Sequence, residues 1–236
     1  MQNSFVLFVL VFVFHSCASQ HQVVEGIQKI EREDELRYYL FYPEDYEPGG
    51  KPMGLLLFLH GGGESGQALT TLKKNGPPKM MADGYPFPFL VLAPQNPYEK
   101  KWWDVRAVYE LLQEVIATNN VDTQRIYLTG LSRGGSAAWE LAVQYPDTFA
   151  ALAVVCGMAP TPYAHWINKS MPIWVFHGDE DPVIPVSESD AMVAKLKALG
   201  RIVKYNRYEG VGHNSWDRAY ANDSLYTWLA QQKLNK

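Results

Sequence analysis

The chain has 236 residues, and its 21 Lys+Arg against 25 Asp+Glu leave a formal net charge of -4, which argues against nucleic acid as a partner, since binding it requires broad phosphate neutralisation. Hydrophobic residues make up 47% and charged residues 19%, with 18 Gly and 15 Pro spread along the sequence. That composition excludes disorder, collagen and a coiled coil and leaves a globular chain with a real core.

Phe5 to Phe14 is an unbroken apolar run followed by the small, polar Ser16-Cys17-Ala18-Ser19-Gln20. The run is too short to span a bilayer comfortably and has the shape of an export signal cleaved after Ala18, although no Lys or Arg precedes it. The alternative is a lipoprotein signal with Cys17 as the acylated first mature residue; membrane anchoring follows only in that case. The expected organisation is therefore a signal over residues 1–18 and a single domain over 19–236, exported to the periplasm or the exterior. Roughly 215 to 220 residues suit one domain and are tight for two. With only Cys17 and Cys156 there is no disulfide framework, and Cys156, in the run Ala151 to Cys156, is expected as a buried thiol. Asn168-Lys169-Ser170 and Asn222-Asp223-Ser224 match the glycosylation acceptor pattern.

In chain order, Leu36 to Tyr42 reads as an early strand, and Leu55 to Leu59 as a fully apolar strand closed by His60 and three glycines. Phe89 to Ala93 repeats that profile before Pro94. Val105, Val108, Leu111, Leu112, Val115 and Ile116 form one helical stripe, with Asp104 placed to cap it. Strand Arg125–Thr129, helix Gly134–Gln144 and strands Ala151–Cys156 and Pro172–Phe176 follow. Helix Val186–Leu199 stops at Gly200, strand Ile202–Tyr208 comes next, and Ser215–Gln232 reads as a terminal helix. This alternation predicts an α/β fold, a mostly parallel central sheet with helices on both faces and functional loops at the carboxyl ends of the strands.

Gly130-x-Ser132-x-Gly134 falls between a strand and a helix, the context of a nucleophile elbow, where small neighbours let strand and helix close on a strained serine. Ser132 is the candidate nucleophile. A serine needs a base and an acid from later strands, and the sequence supplies His213 after the strand Ile202–Tyr208 and an acidic cluster, Asp179-Glu180-Asp181, after Pro172–Phe176. Strand-end geometry does not choose among the three acids. His60-Gly61-Gly62-Gly63 fits the other half of an oxyanion site, whose backbone donors would be the N–H of Arg133 and of Gly62 or Gly63, with Gly62 preferred. A P-loop is excluded because no Lys-Ser/Thr pair follows the glycines.

With these motifs the chain resembles the α/β-hydrolase superfamily, and within it the serine carboxylesterase, dienelactone-hydrolase-like and prolyl-oligopeptidase-like branches. The resemblance spans about residues 34 to 232 and is carried by His60–Gly63, Gly130–Gly135, His177-Gly178-Asp179-Glu180-Asp181 with Pro182–Pro185, and Gly210–His213. Trp102-Trp103-Asp104, Asn214–Tyr220 and Leu225–Leu229 are similar to a group of secreted proteins labelled predicted peptidases or phospholipase/carboxylesterase-type hydrolases. The resemblance implies Asp181 as the triad acid. Asp179 is then expected to satisfy backbone donors and His177 to be structural.

Two departures matter. Dienelactone hydrolases carry a cysteine nucleophile where this chain has Ser132, and related esterases often have Met or a small apolar residue where this chain has Arg133. The Arg133 guanidinium is expected to pair with an acid, or else to meet an anionic substrate group. The stretch Gly157–Met171 is too short for a large lid, so an open cleft is expected, with Trp102, Trp103, Trp166 and Trp216 as candidate substrate-lining residues, Trp166 and Trp216 foremost. The expected function is hydrolysis of a carboxylic ester, aryl or carbohydrate-linked, through an acyl-enzyme, with no metal or organic cofactor. The rivals are a serine peptidase acting on short peptides and a catalytically silent exported binding protein.

Overall fold

The computed structural model describes residues 23–29, 35–66 and 68–234; the expected signal over residues 1–18, Cys17 included, lies outside the described residues. Eight strands form one sheet in the order β1 (Val23–Lys29), β2 (Glu35–Phe41), β4 (Leu90–Pro94), β3 (Met53–Leu59), β5 (Val121–Leu131), β6 (Ala151–Val155), β7 (Ile173–Gly178) and β8 (Val203–Tyr208). β2 pairs antiparallel with both β1 and β4, and every pairing from β4 to β8 is parallel, so β2 alone runs against the rest.

The continuous apolar strands are covered on both faces because their side chains alternate between two cores. Leu55, Leu57 and Leu59 of β3 pack in one core with α2 (Val105–Thr118), α3 (Arg133–Gln144) and α5 (Val186–Ala198). Leu56 and Phe58 pack in the other with α1 (Gly76–Ala82) and the pair α6 (Trp216–Tyr220) and α7 (Asp223–Gln231). Asp104 caps α2 as expected, accepting from the Ala107 N–H at 3.1 Å.

The expected single terminal helix is two. Its apolar stripe is continuous, but Asn222 turns its side chain onto the Ser224 N–H at 3.1 Å and starts a new helix there. The polar cluster Asn222-Asp223-Ser224 therefore acts as a cap within the fold. β1 is a strand the periodicity did not declare; it needs only one partner, β2, at the sheet edge. Between β6 and β7 the only helix is α4 (Tyr163–Trp166), four residues long, in keeping with the absence of a large lid.

Candidate active site

The strand order reverses around β3 and β5, and the crevice at their carboxyl ends is where parallel α/β sheets place ligands. The Gly-rich loop leaves β3 on one side, and Ser132 leaves β5 on the other. Ser132 sits at φ 52°, ψ -121°, a conformation that costs a non-glycine residue on the order of 1–3 kcal/mol. Its surroundings enforce it: the Ser132 N–H donates to the Val155 carbonyl at 2.9 Å, and its carbonyl accepts from the Ser136 N–H at 3.0 Å. The flanking glycines are demanded by close backbone approach. A Cβ on Gly130 would lie 2.3 Å from the Gly134 carbonyl oxygen, and one on Gly134 would lie 2.1 Å from that of Leu59.

The strained turn presents the Ser132 hydroxyl to His213, with Oγ to Nε2 at 2.9 Å. His213 Nδ1 lies 2.7 Å from Asp181 Oδ2. A carboxylate only accepts, so Nδ1 carries the proton and Nε2 is left to accept from the serine. The loops after β7 and β8 meet to make this possible. Gly178 lies against the Val211 and Gly212 carbonyls, where a Cβ would come within 2.2 and 2.5 Å, and the Glu180 N–H donates to the Val211 carbonyl at 3.0 Å.

The side chain of Asp181 is fully buried, yet its carboxyl is held below the usual carboxylate range. Burial pushes it up, but the bond from His213 and the Ile184 and Val183 N–H groups together outweigh that. His177, also fully buried, holds Asp181 from the other side. Its Nε2 lies 3.1 Å from Asp181 Oδ2 and 2.9 Å from the Ile184 carbonyl, both acceptors, so Nε2–H donates, and Nδ1 is hydrogen-bonded to the Ser189 hydroxyl at 2.7 Å. Asp179 instead accepts from the Gly210 N–H at 2.8 Å, and Glu180 is exposed. The three acids left open by strand-end geometry thus fall into three distinct places.

The Gly-rich loop stands against the elbow. A Cβ on Gly61 would lie 3.5 Å from Ser132 Cβ, and one on Gly62 would lie 2.9 Å from the Arg133 guanidinium. Gly62 and Gly63 open a 3-10 turn, and Arg133 opens α3, where N–H groups lack intrahelical acceptors and the helix dipole favours negative charge. The Arg133 side chain corrects its expectation. Its Nη1 reaches main-chain carbonyls, Glu99 at 2.8 Å and Lys101 at 3.2 Å, with Ser65 Oγ at 3.4 Å, rather than an acid. It ties two loops together beside the elbow.

Two residues that anchor this loop, Gln95 and Asn96, were not singled out from the sequence. His60 Nδ1–H donates to the Gly61 carbonyl at 2.7 Å, while Nε2 accepts from the Asn96 N–H at 2.9 Å. Gln95 Nε2 donates to the carbonyls of Glu64 and Gly66 at 2.6 and 3.0 Å. The available signal was a polar pair between prolines, Pro94-Gln95-Asn96-Pro97, at a strand's carboxyl end.

A cleft of about 760 Å³ opens one helical turn from Ser132, at Ser136, and is lined by Trp102 and Trp103 together with Met158, Tyr163, Glu140 and Glu188. Trp103 Nε1 donates to the His60 carbonyl at 3.3 Å, joining the cleft wall to the Gly-rich loop. Trp166 and Trp216 are not among the lining residues. Trp166 is 59% exposed beside Tyr163, whereas Trp216 packs edge-on against the His213 ring at 5.3 Å.

Cys156 is buried at the end of β6 with φ 41°, and its Sγ lies with a ligand atom each of Asp181 and His213 inside 4.8 Å. These three do not make a fitting metal site. Asp181 and His213 are committed to each other, and burial pushes the thiol up to about 12, so it stays protonated. The arrangement that remains is a hydroxyl, an imidazole and a carboxylate in one hydrogen-bonded line, next to a Gly-rich loop packed against the elbow, able to move a proton and to meet a developing oxyanion.

The chain is similar to known proteins in the same sense. The phospholipase/carboxylesterase family model matches residues 87–229, more than half of the chain. A solved thermostable esterase superposes with a TM-score of 0.78 and 31% identity, covering 89% of this chain and 63% of that one. The acyl-protein thioesterase 1 of Gibberella zeae is 23% identical over 197 residues, which are 68% of this chain and 83% of that protein. NocK of Nocardia uniformis subsp. tsuyamanensis, which carries an esterase name, is 34% identical over 100 residues, 42% of this chain and 29% of that protein. The chain thus spans less than two thirds of the solved esterase and of NocK.

Proposed function

The chain belongs to the phospholipase/carboxylesterase family of α/β-hydrolases, and from that premise we propose that it hydrolyses carboxylic esters through an acyl-enzyme, with Ser132 as nucleophile, His213 as base and acid, and Asp181 as the group that orients His213. The observation that carries the proposal is the line Ser132 Oγ, His213 and Asp181, at 2.9 and 2.7 Å, built on a serine whose backbone is held at positive φ.

In this mechanism Ser132 Oγ attacks the ester carbonyl as its proton passes to His213 Nε2, and Asp181 stabilises the imidazolium without taking its proton. Charge gathers on the carbonyl oxygen, where the N–H groups of Arg133 and of Gly62 or Gly63 meet it. The tetrahedral adduct expels the alcohol, which takes the proton from His213. Water then attacks the acyl-enzyme, giving a proton to His213, and the second adduct expels Ser132 Oγ, which takes that proton back as the acid leaves. No step calls for a metal or organic cofactor.

The substrate we propose is an aryl or carbohydrate-linked ester rather than a long-chain lipid. The support is the cleft with Trp102 60% exposed at its wall and Tyr163 of the short α4 in its lining. Export through the apolar run Phe5–Phe14 completes the proposal. Ser132→Ala should cut turnover of a 4-nitrophenyl ester by at least about a thousandfold with the thermal melt unchanged; undiminished turnover by the pure variant would refute the proposal. Matched ester and amide substrates separate this activity from a peptidase.

A further inference from the structure

The cleft beside Ser132 carries a charge pattern that the chemistry of the triad does not use. Glu140 lines it from α3, two turns beyond the nucleophile, and Glu188, an exposed residue, from the first turn of α5. Trp102, Met158 and Tyr163 line it with them, and among the described residues no Lys, Arg or His does. The nearby cations are engaged elsewhere. Lys101 Nζ lies over the Tyr98 ring at 3.7 Å, Arg106 pairs with Glu110 at 2.8 Å, and the Arg133 guanidinium is held by the Glu99 and Lys101 carbonyls. Asp104 adds a further negative charge close enough to act on Glu140.

We propose that Glu140 and Glu188 make this cleft a charge filter, which admits neutral substrate groups and turns away esters bearing a carboxylate or phosphate near the scissile bond. The inference rests on the hydrolase function proposed above and narrows its substrates. Two carboxylates on low-dielectric walls focus a negative potential into the space between them, and an anion entering it loses hydration without gaining a partner. A neutral, hydroxyl-bearing group meets the same walls favourably, stacking on Trp102 and donating to the carboxylates. The family description includes phospholipases; for this chain the filter disfavours a phosphate-bearing substrate.

Two matched pairs of esters test the filter, one with the charge on the acyl part and one with it on the alcohol part. The probes are 4-nitrophenyl pentanoate against 4-nitrophenyl hemiglutarate, and 4-acetoxybenzamide against 4-acetoxybenzoate. The neutral member should be favoured in kcat/KM by about tenfold or more in at least one pair. That preference should shrink at least about threefold in the Glu140→Gln, Glu188→Gln double variant, and also in the wild type as ionic strength rises. Because the readout is a ratio within each variant, the fraction of folded enzyme cancels. Equal rates within both pairs, or a preference unchanged by the double substitution, would overturn the filter. Preference for an anionic member would do the same and would move the recognition to Arg133. Failure to turn over either neutral ester would instead refute the hydrolase function itself.

Discussion

His60 and His177 are fully buried, and in each the neighbours specify one ring nitrogen that must donate. For His60 the consequence is measurable. Burial lowers its pKa to about 4; the bond to Gly61 opposes that fall and the charge of Arg133 adds to it. Protonating Nε2 would also set a donor against the Asn96 N–H. Between about 6.5 and about 4 the unfolded chain takes up a proton that the native state refuses, so stability falls as pH drops through that window, by about 3 kcal/mol. Asp181 works in the next window: its depressed pKa contributes stability above the ordinary value near 3.8 that is lost as pH falls below it. In urea unfolding, the advantage of wild type over His60→Gln should therefore be largest at pH 7 and shrink by about 3 kcal/mol at pH 4; a constant gap would show that His60 titrates normally in the fold. Both histidines stand in motifs that the sequence displays, His60-Gly61-Gly62-Gly63 and His177-Gly178-Asp179. Their partners were not legible, because Asn96, Ser189 and Ile184 become neighbours only when separate strand ends meet.

At the scale of elements, the junction of β3, β5 and α3 is what holds Ser132 in its strained turn, and the glycines there are not equivalent. A Cβ on Gly134 would meet the Leu59 and His60 carbonyl oxygens at 2.1 and 2.4 Å, backbone atoms that cannot swing aside, whereas one on Gly63 would meet nothing within 4 Å. Gly134→Ala should destabilise the protein by about 1–3 kcal/mol or more, as overpacking does, and Gly63→Ala should change stability by less than about 0.5 kcal/mol. Thermal or urea unfolding of the two variants decides this; equal effects would mean that the elbow does not depend on that backbone contact. The strand and helix alternation was legible because apolar runs and 3.6-residue stripes are properties of single segments. The break between α6 and α7 was hidden, since Asn222 interrupts backbone hydrogen bonding without interrupting the stripe. β1 was hidden too, an edge strand with a glycine at its centre and one partner.

At the scale of the molecule, a doubly covered sheet brings together side chains that are 81 residues apart for Ser132 and His213 and 32 for His213 and Asp181. The order Ser, Asp, His and the strand-end positions were readable in the sequence; the walls of the cleft were readable in part, since Trp102 and Trp103 line it but Met158, Tyr163, Glu140 and Glu188 were not singled out. Trp166 and Trp216 lie after strands but not on that cleft: Trp166 is exposed beside Tyr163, and Trp216 meets the His213 ring edge-on. Cys156 Sγ lies within 4.8 Å of a ligand atom each of Asp181 and His213, but its buried thiol is pushed up to about 12 and stays protonated. The central claim is thus that one serine in this fold is activated by one histidine. It is tested most directly by treating the purified protein with a fluorophosphonate, then measuring intact mass and mapping the modified peptide. The expected result is a single adduct on Ser132 that disappears in His213→Ala; folded wild-type protein that takes no adduct, or takes it at another residue, would contradict the claim.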